Sequence, residues 1–363
     1  MLIVTLLWFF CSLLMVTGTT LSMLRGSSWW MRVWDFPRVQ ILFCAVALSV
    51  VGMLVPTGFT MTNSEALSSP IIRSLWIAVM GLLILAIIRQ GSWSIRMTPL
   101  VSTDVPNASD DEALRCRVIA SNVDYTNSNP DSAMHKLMAH EPDLLALVEV
   151  DEAWQTSISE HCAELPNQIV EYRANGKGIA LLSKYELHNP QVRTLVLDDR
   201  PSIWTAIRMS DMIQDWINRD HTKADPPIDD TMVGICVLHP PPPGLKKRHK
   251  DERVSSKPRD IEIEVAARTI AESPIEHWIM VGDFNDVGWS RTTEHAKSIG
   301  KLYDPRIGRG FYNTFPARIP LLRYPIDHVL VTRAFCVSHL ARLEDIGSDH
   351  LPLLTDIHIN PES

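Results

Sequence analysis

"WIMVGDFNDVGWS", residues 278–290, poses the problem whose solution decides the fold. Trp278 to Val281 is a short apolar run, of the kind that forms a strand inside a core. The chain then meets Gly282 and delivers Asp283, Asn285 and Asp286 almost together. Two acids and an amide at the end of a buried strand are costly unless something at that end uses them.

The pattern repeats on either side. Apolar runs at 116–123, 143–150, 178–183, 203–208, 231–238, 277–282, 326–332 and 352–358 read as strands, most of them buried. The first ends in "SNVDY", with Asn122 and Asp124 two apart and so on one face. The second ends in "LVEV", with Glu149 among aliphatics, and the fifth in "LHPPPPG", with His239 at its tip. "PIDHVLV" opens a strand with Asp327 and His328, and "GSDHLPLL" sets Asp349 and His350 before the closing strand. "SAMHKLMAH" and "RDIEIEVAARTIAES" read as helices, the latter with Ile261, Val265, Ala266 and Ile270 on one face. Many strands with fewer helices predict a layered α/β domain rather than a strictly alternating parallel one.

Singly, these polar residues have ordinary explanations. An Asn or Asp after a strand serves a turn, and a His at a strand tip is surface. Glu149 is harder to set aside, because an unpaired carboxylate amid Leu and Val is expensive. Taken together, an all-oxygen set of Asn, Asp and Glu suits a hard cation, Mg²⁺ or Mn²⁺, rather than zinc. Two histidines beside it suit proton transfer. The combination fits metal-assisted hydrolysis of a phosphoester.

In sequence order, "SNVD", "LVEV", "GKGIALLSK", "LHP", "VGDFND", "PIDHVLV" and "GSDHLPLL" resemble the endonuclease/exonuclease/phosphatase superfamily. That superfamily includes deoxyribonuclease I-like enzymes, apurinic endonucleases, sphingomyelinases and inositol-polyphosphate phosphatases. The resemblance spans Arg115 to Ile359. It implies a four-layer α/β sandwich: two packed mixed β-sheets flanked by helices, with the site at one edge where strand ends converge. It further implies Glu149 at the metal, Asn122 beside it and Asp349 at or near it. Asp283 would orient or deprotonate the attacking water, and Asn285 would hold a phosphate oxygen. His350 would contact the phosphate or move a proton, Asp327 would orient His350, and His239 would serve the phosphate or leaving oxygen. Asp124 matches an acid of the DNA-repair branch and either assists the metal or caps the turn. Asp286 and His328 flank matched positions and are expected to be structural. Arg200, in "RPSIW", either reaches a substrate phosphate or forms a surface ion pair.

Composition divides the 363 residues. Six basic and six acidic residues precede position 114, so the net charge of -8 lies entirely in residues 114–363. An acidic domain gains nothing from long-range attraction to nucleic acid. Leu2–Leu24 and Ile41–Phe59 carry no charge, and Ile71–Ile88 carries only Arg73 near its start. A bilayer-crossing helix needs about 20 apolar residues. These runs predict an anchor over 1–90 with three transmembrane helices, a polar linker over 91–113 and a catalytic domain over 114–363. A signal peptide would explain only the first run, which lacks a charged leader. "RGSSWWMRVWDFPR", 25–38, reads as an interfacial loop. Six scattered cysteines without paired spacing indicate free thiols.

Arg25, Arg32, Arg38, Arg89 and Arg96 flank the runs on one side, which places the domain in the cytoplasm. Resemblance to membrane-anchored lipid-diphosphate phosphatases, whose domain lies outside the cell, points the other way. Lys246, Lys247, Arg248, Lys250 and Arg253 form a basic loop after His239. It is either a solvated loop or a grip on a polyanion or an anionic membrane. The leading expectation is a membrane-anchored Mg²⁺- or Mn²⁺-dependent phosphoesterase. Its substrate would be a monoester, diester or diphosphate, lipid-linked or small, and its other partner the lipid bilayer. Asp124 and the basic loop support the alternative of a nuclease acting on DNA or RNA. A non-catalytic binding module on the same fold is a third expectation.

Overall fold

The structure is a computed structural model that describes residues 2–61, 70–108, 115–212, 231–243 and 255–359. The chain divides into two compact units, Met1–Leu100 and Val101–Ser363.

The first unit holds α1 (Leu2–Met23), the short α2 (Trp29–Arg32), α3 (Arg38–Met61) and α4 (Pro70–Arg96). Among the described residues, two helices are long and apolar enough to cross a membrane, or three if the bent pair Trp29–Asp35 and Arg38–Leu54 is one span. Polar contacts tie the helices together. Trp8 Nε1 donates to the Leu48 carbonyl at 2.7 Å, and buried Gln90 reaches Thr19 Oγ1 at 3.3 Å. The loop expected to lie at the interface buries an ionic knot: Asp35 sits 2.7 Å from Arg32 and 3.7 Å from Arg38. Buried charges persist only when paired in this way. α4 runs past the sequence boundary at residue 90 because nothing in "GSWSIR" stops it. Ser92 and Ser94 bond back to the Arg89 and Gln90 carbonyls, and Trp93 lies under both Arg38 and Arg96.

Part of the expected linker belongs to the second unit. Val105 is buried, Asn107 bridges Val337, and Arg309 donates to the carbonyls of Val105 and Pro106. Residues 109–114 lie outside the described residues.

Among the described residues, eleven strands build the second unit. They are β1 (Arg115–Asn122), β2 (Leu144–Val148), β3 (Asn167–Glu171), β4 (Ile179–Ser183), β5 (His188–Thr194), β6 (Pro201–Arg208), β7 (Met232–Val237), β8 (His277–Asp283), β9 (Asp327–Val331), β10 (Phe335–Arg342) and β11 (Leu353–Ile359). One sheet has the order β10-β11-β1-β2-β4-β3 and the other β5-β6-β7-β8-β9. Both are mixed: β1 runs parallel to β2 and β7 to β8, while the other pairs are antiparallel.

Alternation explains why the strands look apolar throughout. On β1, Val118 and Ala120 face the other sheet while Ile119 faces outward; on β8, Ile279 and Val281 face in while Met280 faces out. Outward residues of the first sheet pack with α5 (Pro130–Met138) and α6 (Trp154–His161), through Met134 and Trp154. Those of the second pack with α7 (Lys257–Ala271) and α8 (Arg291–Gly300), through Ile263, Ala266 and Ala296. Two sheets with a helical layer on each outer face give the four layers expected.

Candidate active site

The topology brings the polar strand ends to one edge. β1 and β2 run parallel and so finish together, placing Asn122 and Glu149 side by side. β7 and β8 do the same for His239 and Asp283. β9 and β11 run antiparallel to their neighbours, so Asp327 and the loop carrying Asp349 and His350 lie at their starts, on that edge. Gly282 makes the last step possible. Its φ is +135°, and a Cβ there would lie 2.1 Å from the Leu238 carbonyl oxygen. The backbones of β7 and β8 touch where a side chain would part them.

Asn122 Nδ2 donates to Glu149 at 3.0 Å and to Asp283 at 3.1 Å. His239 Nε2 lies 3.7 Å from Glu149 and 3.9 Å from Asp283. His350 Nε2 lies 3.7 Å from the same Asp283 oxygen and 3.9 Å from Asp349, while its Nδ1 is bonded to Asp327 at 2.8 Å. Ser348 ties the loop down, donating to the Asn122 carbonyl at 2.8 Å and accepting from the His350 amide at 3.0 Å. The Phe315 ring packs 4.7 Å from the His350 ring. Asp124, Glu149 and Asn285 all adopt left-handed backbone, with φ of 55°, 67° and 50°. Asn and Asp tolerate this region; Glu does so only under constraint, here a bond from its amide to the Gly178 carbonyl at 2.9 Å.

Electrostatics follow from burial. Burial pushes the Glu149 carboxyl up; Asn122 and His350 oppose this, and Asp349 and Asp124 add to it. Asp349 is raised likewise, by burial and by Asp124. Burial also raises Asp283 against the pull of His350. For His350 burial works against the charge, but Asp327, Asp283 and Asp349 outweigh it and hold the imidazole protonated to higher pH. His239 is held far below the usual range by burial, with Arg200 and His350 adding to it. A crowd of carboxylates raising one another is a site short of positive charge.

The oxygens of Glu149, Asp349 and Asn122 have the chemistry of a Mg²⁺ or Mn²⁺ site. Asp283, Asp327 and His350 form a second grouping, with ligand atoms within 4.8 Å of one another. There the His350 Nδ1 is already committed to Asp327, so the first set suits a hard cation better.

Other expected residues fall out unequally. Asp124 caps its turn, accepting from Thr126 N and Oγ1 at 2.8 and 2.7 Å, and its charge still reaches Glu149 and Asp349. Asn285 spends one amide hydrogen on the Pro240 carbonyl at 3.0 Å. Asp286 and His328 face away from the cluster: Asp286 accepts from Ser290 at 2.6 Å and sits 3.3 Å from Arg259, and His328 bonds to the Asp286 carbonyl at 2.8 Å. Arg200 is buried, not a surface residue, and donates to Gly176 O at 3.2 Å and His239 Nδ1 at 3.3 Å. The basic loop Lys246–Arg253 lies outside the described residues. Sequence reasoning missed Phe315 and the tie made by Ser348, although "GSDH" displayed the serine.

The family model of the Endonuclease/Exonuclease/phosphatase family matches residues 119–350. The chain belongs to this family. Its members are typically metal-dependent hydrolases of phosphoester bonds, and the groups able to hold a metal are present here. No curated protein matches the sequence. Among solved structures, the chain is similar to the human Nocturnin catalytic domain with bound sulfate, at 18% identity and TM-score 0.47, covering 69% of this chain and 96% of that one. It is also similar to D. rerio TDP2 complexed with single-strand DNA product, at 14% identity and TM-score 0.49, covering 67% and 98%. Sphingomyelinase C from Streptomyces griseocarneus is similar at 14% identity and TM-score 0.44, covering 68% and 99%.

Proposed function

We propose that this family member is a membrane-anchored phosphoesterase dependent on Mg²⁺ or Mn²⁺. Its substrate is a lipid-linked or small phosphorylated compound, cleaved at a monoester, diester or diphosphate. One observation carries the reading: the Nε2 atoms of His239 and His350 approach the same Asp283 oxygen at 3.9 and 3.7 Å, beside Glu149 and Asn122.

Each residue then has a job its geometry allows. Glu149, Asp349 and Asn122 would hold the ion, which supplies charge neutralisation at the phosphoryl oxygens. Asp283, its second oxygen held by the Asn285 amide at 2.8 Å, orients the attacking water and accepts its proton. Arg200 donates to His239 Nδ1, which leaves that ring neutral with Nε2–H as a donor into the site. Asp327 fixes His350 by Nδ1, so Nε2 presents its proton to the phosphoryl or leaving oxygen. The second side-chain amide hydrogen of Asn285, without a partner among the described residues, is available to a non-bridging oxygen. The apolar helices and the acidic second unit favour a substrate at a membrane over duplex DNA.

The test is the full-length chain in lipid nanodiscs, with Mg²⁺ or Mn²⁺, against phosphorylated and diphosphate lipids, nucleotides and DNA. Hydrolysis of a lipid-linked or small phosphoester, lowered about 10²–10⁴-fold by Asp283→Asn, is the expected result. Preference for DNA with a steep salt dependence would make it a nuclease. No hydrolysis with either metal would leave the binding module. Loop charge favours a cytoplasmic second unit; a reporter fused after Ser363 that is active only outside the cytoplasm refutes that side.

A further inference from the structure

Beside the site, the chain makes a finger at residues 314–324. Its base is pinched by Phe315 and Tyr324, which exchange backbone bonds at 3.1 and 2.5 Å. Two more bonds brace the base against the site: Ala317 N donates to the Asp349 carbonyl at 2.7 Å, and Leu351 N to the Thr314 carbonyl at 3.1 Å. Arg323 folds inward, its Nε donating to the Ala317 carbonyl at 3.0 Å. The tip is a single 3₁₀ turn, Pro320–Leu322.

That tip is apolar and turned to solvent. Ile319 is 50% exposed, Leu321 85% and Leu322 47%. Among the described residues of the second unit, no other adjacent large apolar side chains are exposed together. An apolar cluster rigidly held at a surface marks a contact with something apolar. The same chain supplies the occupant: it carries helices long and apolar enough to cross a bilayer, which would tether the second unit to a lipid surface. Exposed Arg318 at the edge of the tip suits a headgroup phosphate above a buried apolar tip.

We propose that residues 318–322 form an interfacial finger, with Ile319, Leu321 and Leu322 entering the boundary between headgroups and acyl chains. Because its base bonds to the Asp349 carbonyl and carries the ring packed on His350, insertion sets the mouth of the site at the lipid surface. The contact itself is independent of the hydrolytic activity; only its service to substrate supply rests on the proposed function.

The test uses the full-length chain with Cys11 and Cys44 changed to serine; the other four cysteines are buried. Leu321→Cys carries an environment-sensitive fluorophore, and the protein is reconstituted in vesicles of equal parts phosphatidylcholine and phosphatidylglycerol. The control is Val192→Cys, at a position 42% exposed on β5. A blue-shifted Leu321 probe, quenched by lipid bearing a shallow acyl-chain spin label and shielded from aqueous iodide, is expected, with the control showing the reverse. Equal iodide quenching at both positions overturns the proposal. So does a blue shift without lipid quenching, which would seat the finger against protein. Ile319→Cys repeats the measurement should the Leu321 variant not reconstitute. None of these readouts needs turnover, so a silent enzyme with a lipid-quenched finger would fail the hydrolytic reading alone.

Discussion

Glu262 offers a perturbation whose size follows from its surroundings. It lies on α7, fully buried, and neither carboxylate oxygen has a hydrogen-bond partner among the described residues. Burial raises its carboxyl from 4.5 to about 7, with Arg200 opposing and Asp199 adding. An acid whose folded pKa is raised binds its proton more tightly when folded. It therefore costs nothing below 4.5, costs progressively more as pH rises toward 7, and carries its full penalty above that. The gap corresponds to about 3 kcal/mol at about 1.4 kcal/mol per unit, of which about 2–3 kcal/mol develops between about pH 5 and pH 8. Glu262→Gln keeps the shape and removes the titration, so its stability relative to wild type should rise by that amount across the interval. Hydrogen exchange at the amides of β7, read by mass spectrometry on the full chain in nanodiscs, reports this locally. Comparing variants at each pH, the protection ratio of Gln over Glu should grow about 30- to 150-fold from the lower to the higher pH. A ratio that stays constant would refute the reasoning, because Glu262 would then be as well solvated folded as unfolded.

Asp327→Asn and His350→Ala should each lower turnover about 10²–10⁴-fold; the double variant should be little worse than the poorer single, because the 2.8 Å bond makes them one unit. Fully multiplicative losses in that cycle would separate them. Glu149→Gln should keep the fold and raise the Mg²⁺ or Mn²⁺ concentration needed for half-maximal activity, measured by metal titration; an unchanged requirement removes Glu149 from the metal. Gly282→Ala should destabilise the second unit by about 3 kcal/mol or more in denaturant unfolding, since its Cβ meets the Leu238 oxygen at 2.1 Å and its φ is +135°. A wild-type midpoint would mean the two strands can part at no cost.

What the sequence displayed, and what it hid, divide along physical lines. All eight expected strands are present, as β1, β2, β4, β6, β7, β8, β9 and β11. The three missed, β3, β5 and β10, are all edge strands. An edge strand pairs on one side only and buries less, so its residues need not be apolar. "HNPQVRT" even carries Pro190, tolerable there because an edge amide owes no ladder bond, and its pairing slips between His188 and Gln191. The candidate site residues were legible because polar side chains ending several buried strands, each with an ordinary explanation alone, share one explanation when taken together. Phe315 was not, because a ring that packs on an imidazole looks in sequence like any other loop aromatic.

The layer beneath the site was also hidden, and it explains why a turn can serve as a rigid site. Arg259 lies in the first turn of α7, where an arginine reads as surface, yet it is 1% exposed. Its Nη1 donates to the Asn285 carbonyl at 2.8 Å, and its Nη2 lies 3.3 Å from Asp286. From the other side, His328 Nε2 bonds to the Asp286 carbonyl at 2.8 Å, while its Nδ1 accepts from Arg306 at 2.5 Å. Arg306 in turn pairs with Asp304 at 2.8 Å and donates to the Asp327 carbonyl at 3.3 Å. So the turn that follows Asp283 and the strand end that bears Asp327 are clamped through their own carbonyls by two buried guanidinium groups. Apolar packing could not do this, because a turn exposes carbonyls with no ladder to satisfy them, and each left bare would be costly. Arginine's fixed fork of donors can meet several at once. A sequence shows the acids gathered at the strand ends, but the cations that hold those ends in place become recognisable only when the fold shows which carbonyls they reach.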